Sequence, residues 1–350
     1  MRLQLFLIAM LVTVPPAIAQ ESLRPDVPVA IVGGMLLDGY EAAPIHHSVV
    51  VFENGRITAV GQKHDTEIPD NAVVIDAGGR TVMPGLIDAH MHIDLIGHGS
   101  YEDYYKLIGD MDNIGRFMQI AAKQMIRAGV TSGLDLGAPF QAFDFRERVR
   151  RGEIPGPRLT LSGPWITRVD YDTVPDEYEI VIDSPRDAAQ KTRELIDRGV
   201  DVIKVWVGLT EDDYRAVVEE ANKAGVRVHA HLYDPEAIRM AIDTGVHVFQ
   251  HVGSARNPPY DDALLSEIAH RNIPIVQTIA HRIWVYPATV AFPEKLYDPV
   301  YRDDMPADVY ESFIASFDNY HRLSYYQDIG QETRNSRISA KQFIEAGAYM

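Results

Sequence analysis

His90 and His92 stand one residue apart at the end of the apolar stretch Val82-Met-Pro-Gly-Leu-Ile-Asp-Ala-His-Met-His92. Residues i and i+2 of a strand share a face, so both imidazoles point the same way. Two imidazoles side by side at a strand end are half of a metal site. Further along, Lys204 interrupts the apolar run Val200-Asp-Val-Ile-Lys-Val-Trp206, His229-Ala-His231 closes a second run, and His251 closes a third after Val246. Each has a plainer reading when taken alone. A single histidine at a strand end is more often a hydrogen-bonded structural group than a ligand, and a lysine among apolar residues can snorkel to the surface. Their recurrence at successive strand ends is hard to produce by packing, and it points to a metal centre. Lys204 fits that reading, because burial beside cations should leave its amine neutral. A neutral amine can add carbon dioxide, giving an anionic carbamate able to bridge two metal ions.

The elements that must position these residues fall into two parts. Residues 26–80 read as short strands with tight turns: Ser48–Phe52 and Arg56–Val60 flank Glu53-Asn54-Gly55, whose Asn-Gly favours a two-residue hairpin turn. Val73–Asp76 is a further short strand, closed by Gly78-Gly79. From Thr81 the rhythm changes, and helical stretches end in a glycine followed at once by an apolar strand, at Gly129-Val130, Gly199-Val200, Gly225-Val226 and Gly245-Val246. Glycine supplies the left-handed helix end and the β-branched residue opens the strand. Successive units of this kind imply a parallel sheet, and many in a row a closed barrel. The strands fall at 82–92, 130–136, 158–162, 201–207, 226–231, 246–251 and 273–278. A helix from Gln331 to Glu345, with Ala346-Gly347 after it, announces an eighth strand that Ala348-Tyr349-Met350 only begins. The expectation is therefore an incomplete barrel, poorly folded and nearly inactive when this stretch of chain is made alone.

With 46% hydrophobic and 24% charged residues among 350, the composition is that of a soluble globular chain with a large core. The net charge of −17, spread rather than blocked, disfavours nucleic acid and anionic membranes as partners. Residues 1–19 read as a secretory signal: Arg2, the apolar Leu3–Val14, then Ala17-Ile18-Ala19 as a cleavage site before Gln20. Pro15-Pro16 breaks a run already too short for a comfortable membrane span, so no stable anchor is expected and the mature chain should be periplasmic or secreted. The chain has no cysteine, which excludes a disulfide framework and a lipid-modified cysteine.

At this point Pro84-Gly-Leu-Ile-Asp-Ala-His90-Met-His92, Ile203-Lys204-Val205, Val228-His229-Ala230-His231 and Gln250-His251 resemble the amidohydrolase superfamily, near its imidazolonepropionase-like and prolidase-like branch. The resemblance implies an α/β fold: a (β/α)8 TIM-type barrel over 81–350, with strand eight and beyond missing. It also implies a flanking β-sandwich whose N-terminal part is residues 20–80. It implies two divalent metal ions, zinc foremost but with manganese, cobalt or iron allowed. His90 and His92 would bind one ion and carbamylated Lys204 would bridge. His229 and His251 would bind the other, His229 being preferred to His231 for its Val-x-Val-His-Ala context. His231 is left to touch substrate or to serve as a ligand itself, and Tyr233, His98, Trp165 and His281 are further substrate-binding candidates. The family's catalytic aspartate, at the end of strand eight, has no counterpart up to Met350.

The implied chemistry is hydrolysis of a C–N bond in a small molecule (an amide, a non-standard peptide or a cyclic amide) by a hydroxide bridging two metals. Ester, lactone or phosphotriester hydrolysis suits the same hydroxide, and a metal-binding remnant without turnover is the reading from another class. Long loops after strands one, three and seven carry Tyr101, Tyr104, Trp165, Tyr171, Trp284 and Tyr286 onto the catalytic face, where they suit a lid over an apolar group. Tyr310, Phe313, Phe317 and Tyr320 recur at helical spacing and read as a packed face. An acidic barrel of this size also suits a homo-oligomer.

Overall fold

The computed structural model describes residues 26–40, 42–96, 101–108, 113–172, 174–253, 260–318 and 324–350. The signal expected over 1–19, His98 and Tyr320 lie outside these residues, as does the side chain of Tyr101. The chain forms two compact units, one reaching to Pro84 and the other running from Gly85 to Met350.

In the first unit, β1 (Val29–Val32) pairs antiparallel with β3 (Ser48–Glu53), which pairs antiparallel with β4 (Arg56–Gln62), while β5 (Val73–Asp76) lies parallel to β1 on its other side. The order is β4-β3-β1-β5, and β2 (Met35–Leu36) forms a separate parallel pair with β6 (Thr81–Val82). Asn54 and Gly55, with φ of 51° and 71°, make the turn that their sequence predicts. Both central residues need positive φ there, a conformation that matches the strand twist. Ala30, Val32, Val49 and Val51 make the small core.

In the second unit seven strands run in the order in which they were read from the sequence. β7 (Leu86–Met91), β8 (Val130–Asp135) and β9 (Arg158–Leu161) form one parallel sheet. β12 (Val202–Val205), β13 (Arg227–His231), β14 (Val248–Gln250) and β15 (Ile275–Val276) continue in a second, which β10 (Trp165–Thr167) and β11 (Glu179–Val181) extend on the β12 side. The Asp201 N–H donates to the Leu161 carbonyl at 2.9 Å and links the end of β9 to the start of β12. Beyond β15, the Ile275 N–H donates to the Tyr349 carbonyl at 2.9 Å, so the last described residues lie in the place next to strand seven. Among the described residues, strand pairing does not join the two sheets into one closed ring.

Helices α1 (Tyr101–Ile108) and α2 (Ile114–Arg127) follow β7, α3 (Gln141–Arg150) follows β8, and α4 (Pro185–Asp197) follows β11. Then α5 (Glu211–Ala224), α6 (Pro235–Thr244) and α7 (Asp262–His270) alternate with the strands. After β15 come α8 (Tyr286–Ala291), α9 (Pro299–Asp304), α10 (Ala307–Ser316), α11 (Ser324–Gln327) and α12 (Ile329–Glu345). Their starts are written in sequence. Ser184 accepts from the Asp187 N–H and Pro185 opens α4; Thr210 and Asp213 form a reciprocal cap on α5; Asp234 and Asp261 cap α6 and α7. Each such cap is worth about 1 kcal/mol. Gly129, Gly199, Gly225 and Gly245 all have φ between 70° and 82°, the left-handed turn that reverses each helix into the next strand.

Alternation along the strands separates two environments. Ile203, Val205, Val228, Ala230 and Phe249 are fully buried and pack outward against the helices, with Val217, Ala221, Ile238 and Ile268. Lys204, His229, His231 and Gln250 therefore point to the other face of the sheet. Phe313 is buried and Tyr310 and Phe317 pack against the same core, the helical face expected of them.

Candidate metal centre

At the C-terminal ends of the strands lies a cavity of about 250 Å³. His90, His92, Lys204, His231 and His251 line it, together with Tyr233, Trp165, Trp206, His281 and Arg282. Ring centroids of His90 and His92 are 5.5 Å apart, those of His90 and His251 4.2 Å, and those of His231 and His251 4.6 Å. Four imidazoles and one amine brought from β7, β12, β13 and the end of β14 thus meet in one place.

The local backbone explains why His251 takes part. Strict alternation from Phe249 would send it outward with the core, but its φ of 68° turns it back to the cavity side beside Gln250. Its Nδ1 lies 2.8 Å from the Thr278 hydroxyl, and Thr278 is itself left-handed at φ 52°. Left-handed non-glycine residues are costly, more so when β-branched, and two of them bonded at adjacent strand ends mark a place where positioning outweighs strain.

His229, the strand-five histidine preferred from its sequence context, is not among the residues lining the cavity, whereas His231 is. Both histidines of β13 face inward, but His229 sits one layer deeper, paired in register with Lys204. Its Nδ1 accepts from the Gln250 amide at 3.0 Å. The Gln250 carbonyl in turn accepts from His90 Nδ1 at 2.8 Å, which leaves the His90 Nε2 lone pair free. His231, not His229, reaches the shared space, stacked on Trp206 with centroids 5.3 Å apart.

Lys204 is 2% exposed, and its Nζ has no hydrogen-bond partner. Burial lowers its amine from 10.5 to about 7. The imidazoles are lowered for the same reason, burial first, with the charge of Lys204 next for His90, His92, His229 and His231 and the neighbouring His90 and His231 next for His251: His92 to about 4, His229 to about 3, and His90, His231 and His251 well below 6.5. A cluster held neutral in this way presents lone pairs, which is the state that ligates metal.

As they stand, the rings pack edge to face, and among the described residues no three His, Cys, Asp or Glu side chains are placed to hold a metal ion. The fit is one of chemistry: a buried amine among the imidazoles of His90, His92, His231 and His251 is a donor set for divalent transition metals, and among the described residues nothing satisfies that amine.

Of the other candidates, Trp165 and Tyr233 line the cavity, and so does His281, whose imidazole burial lowers to about 3. Tyr104 and Tyr171 reach it too, whereas Trp284 is 65% exposed. Sequence reasoning missed Gln250, Asp94, Tyr178, Trp206 and Arg282. Asp94 was within reach, since His90, His92 and Asp94 continue one spacing of two.

Residues 81–298 match the amidohydrolase family. In sequence the chain is 25% identical over 244 residues to the 5′-deoxyadenosine deaminase of Methanosarcina barkeri, covering 60% of this chain and 50% of that protein. Over a shorter 66 residues it is 41% identical to the imidazolonepropionase of Rhizobium rhizogenes, 19% of this chain and 16% of that one. A prolidase solved in complex with N-methylphosphonate-L-proline superposes with a TM-score of 0.69 at 23% identity, over 93% of this chain and 77% of that chain. That likeness is one of fold. The chain spans about half the length of the curated deaminases it matches. The deaminase, imidazolonepropionase and prolidase are hydrolases acting on C–N bonds, in a family that is generally metal-dependent. With strands, histidines and lysine placed as above and the match running over residues 81–298, more than half of the chain, this protein belongs to the amidohydrolase family.

Proposed function

We propose that the protein is a binuclear metal-dependent hydrolase that cleaves a C–N bond of a small molecule: an amide, a non-standard peptide or a cyclic amide. The observation that carries this reading is Lys204: a buried, unpartnered amine that burial keeps near neutrality among imidazoles. Such an amine attacks carbon dioxide, forming an N–C bond and releasing one proton, and the resulting carbamate is an anionic oxygen ligand. His90, His92, His231 and His251 with carbamylated Lys204 would hold the metals. A bound divalent metal supplies a Lewis acid and an activated water near neutral pH.

The chain's own groups do the rest. Gln250 fixes the ring of His90, and Thr278 that of His251, so both keep one nitrogen toward the cavity. Trp165 and Trp206, with centroids 4.0 Å apart, wall the site and exclude water, which strengthens every polar interaction inside. The Arg282 guanidinium, paired with the buried Glu332 carboxylate at 3.2 Å, donates to the Tyr233 hydroxyl at 3.3 Å and holds it at the cavity wall beside His231.

Metal content and turnover test the proposal together. Protein expressed from its whole reading frame and reconstituted with zinc or manganese should carry about two equivalents of metal and hydrolyse amides in a panel of matched amides and esters. Lys204→Met should lose at least one equivalent and the activity with it. Unchanged stoichiometry in that variant would sink the proposal, and turnover of esters alone would move the assignment to ester hydrolysis. Export through residues 1–19 belongs to the same proposal; a mature chain beginning at Gln20 in the periplasm or medium is the expected mass-spectrometric result.

A further inference from the structure

The cavity also carries a carboxylate with one oxygen left without a partner. Asp94 is 1% exposed and lines the cavity. Its Oδ2 accepts from the Tyr178 hydroxyl at 2.6 Å and the Tyr104 hydroxyl at 3.0 Å. Its Oδ1 is buried without any hydrogen-bond partner. No lysine, arginine or histidine pairs with Asp94 among the described residues, although Lys204 and Arg282 line the same cavity. A buried carboxylate oxygen left open is expensive unless a ligand completes it.

The surroundings say what kind of ligand. The two phenols orient the carboxylate and leave their rings as walls: Tyr105 and Tyr178 stand 5.6 Å apart by centroid, Trp165 and Tyr178 6.1 Å, and Tyr104 and Tyr105 5.4 Å. The wall continues through Trp206 to His231. Aromatic faces with one carboxylate attract an organic cation, by ring quadrupole and by charge, and repel an anion. An apolar cavity with few convergent polar groups takes its specificity from those groups.

We infer that Asp94, with Tyr105, Tyr178 and Trp165, forms a subsite for an organic cation at the end of the aromatic wall away from His231. Under the proposed hydrolase activity, on which the substrate part of this inference rests, the substrate is a small amide bearing an ammonium or guanidinium group remote from the scissile bond. The wall between Tyr178 and His231 carries the linking apolar part, and Asp94 completes its coordination on the cationic head.

Binding is measured on the full chain without turnover. Fluorescence of Trp165 and Trp206 reports titration with benzylammonium and with benzyl alcohol, which differ in charge but hardly in shape. Benzylammonium is expected to bind at least about tenfold tighter. Asp94→Asn should bring the ratio to about one, while Asp94→Glu, which keeps the charge, should retain the preference. Equal affinities in the wild-type protein, no binding of either probe, or a preference that survives Asp94→Asn each overturns the subsite. The wild-type comparison and Asp94→Glu stand even if the asparagine variant does not fold. A second arm separates the two claims: metal-loaded protein is assayed for kcat/KM on paired amides ending in an ammonium or a methyl group. Cation binding without hydrolysis of any amide leaves the subsite and removes the hydrolase reading; hydrolysis without preference for the cationic amide does the reverse.

Discussion

The carboxamide of Gln250 spans two imidazoles, accepting a hydrogen bond from His90 and donating one to His229. That single side chain separates the two histidines of β13 in role. Since His229 already spends its Nδ1 lone pair on Gln250 and lies outside the cavity, His229→Ala should keep the bound metal, whereas His231→Ala should lose about one equivalent. Metal analysis of the two purified variants checks it, and equal loss from both would return the choice to open. Gln250→Leu keeps the volume but frees the His90 ring, and metal affinity should fall about 10- to 100-fold by competition with a chelating dye. The ambiguity had a physical source. Residues 229 and 231 share a face by the strand period, so the sequence shows that both point inward but not how deep each layer lies. Depth depends on the stagger of β13 against β12 and β14, a property of the assembled sheet.

At the scale of elements, much more was legible. Glycine at Gly129, Gly199, Gly225 and Gly245 marked each helix-to-strand junction because only that residue takes positive φ cheaply, and all four adopt it. The seven strands lie inside the spans read for them, shortened by one to five residues in total at their ends, as with β7 at Leu86–Met91 against 82–92. What the sequence hid was the turn at His251, where a bulky residue takes the conformation that glycine signals elsewhere. Gly137, at the end of β8, shows another constraint of this kind. A Cβ there would come within 2.4 Å of the Trp165 ring and 3.3 Å of His92. Gly137→Ala should therefore push Trp165 into the cavity, costing about 1–3 kcal/mol of stability and raising KM more than it lowers kcat. Denaturant unfolding and steady-state kinetics on the variant measure the two effects, and an unchanged KM would show that Trp165 does not border the substrate.

For the whole molecule, the buried titratable groups set how stability should respond to pH when metal is removed. His92 and His229 are held to about 4 and about 3 in the folded chain, and His90, His231 and His251 well below 6.5, all chiefly by burial. The unfolded chain binds protons at those positions once pH drops through 6.5, while the folded chain does not, so stability falls with pH over that range. The contribution is complete above pH 6.5 and is lost progressively toward pH 3–4. Lys204 acts in the same sense at higher pH, its folded value of about 7 lying below the unfolded 10.5, so stability should go on rising between those values. Asp135 opposes this between 3.8 and about 7, because burial raises it, and Asp94 is raised as well. Burial raises Asp88 and Glu179 too, but the lowered imidazoles, His247 and His281 added to the five above, outnumber these four carboxyls, which sets the expected sign of the sum. Chelated protein should thus melt at progressively lower temperature from pH 8 to pH 4 in differential scanning calorimetry. Metal should lift the curve most near and above neutral pH, because the ligands it needs are the neutral ones. Saturation at about 1,000 times Kd would add about 4 kcal/mol. A flat melting temperature across that pH range would mean that the imidazoles are solvated and that the cavity does not hold them neutral.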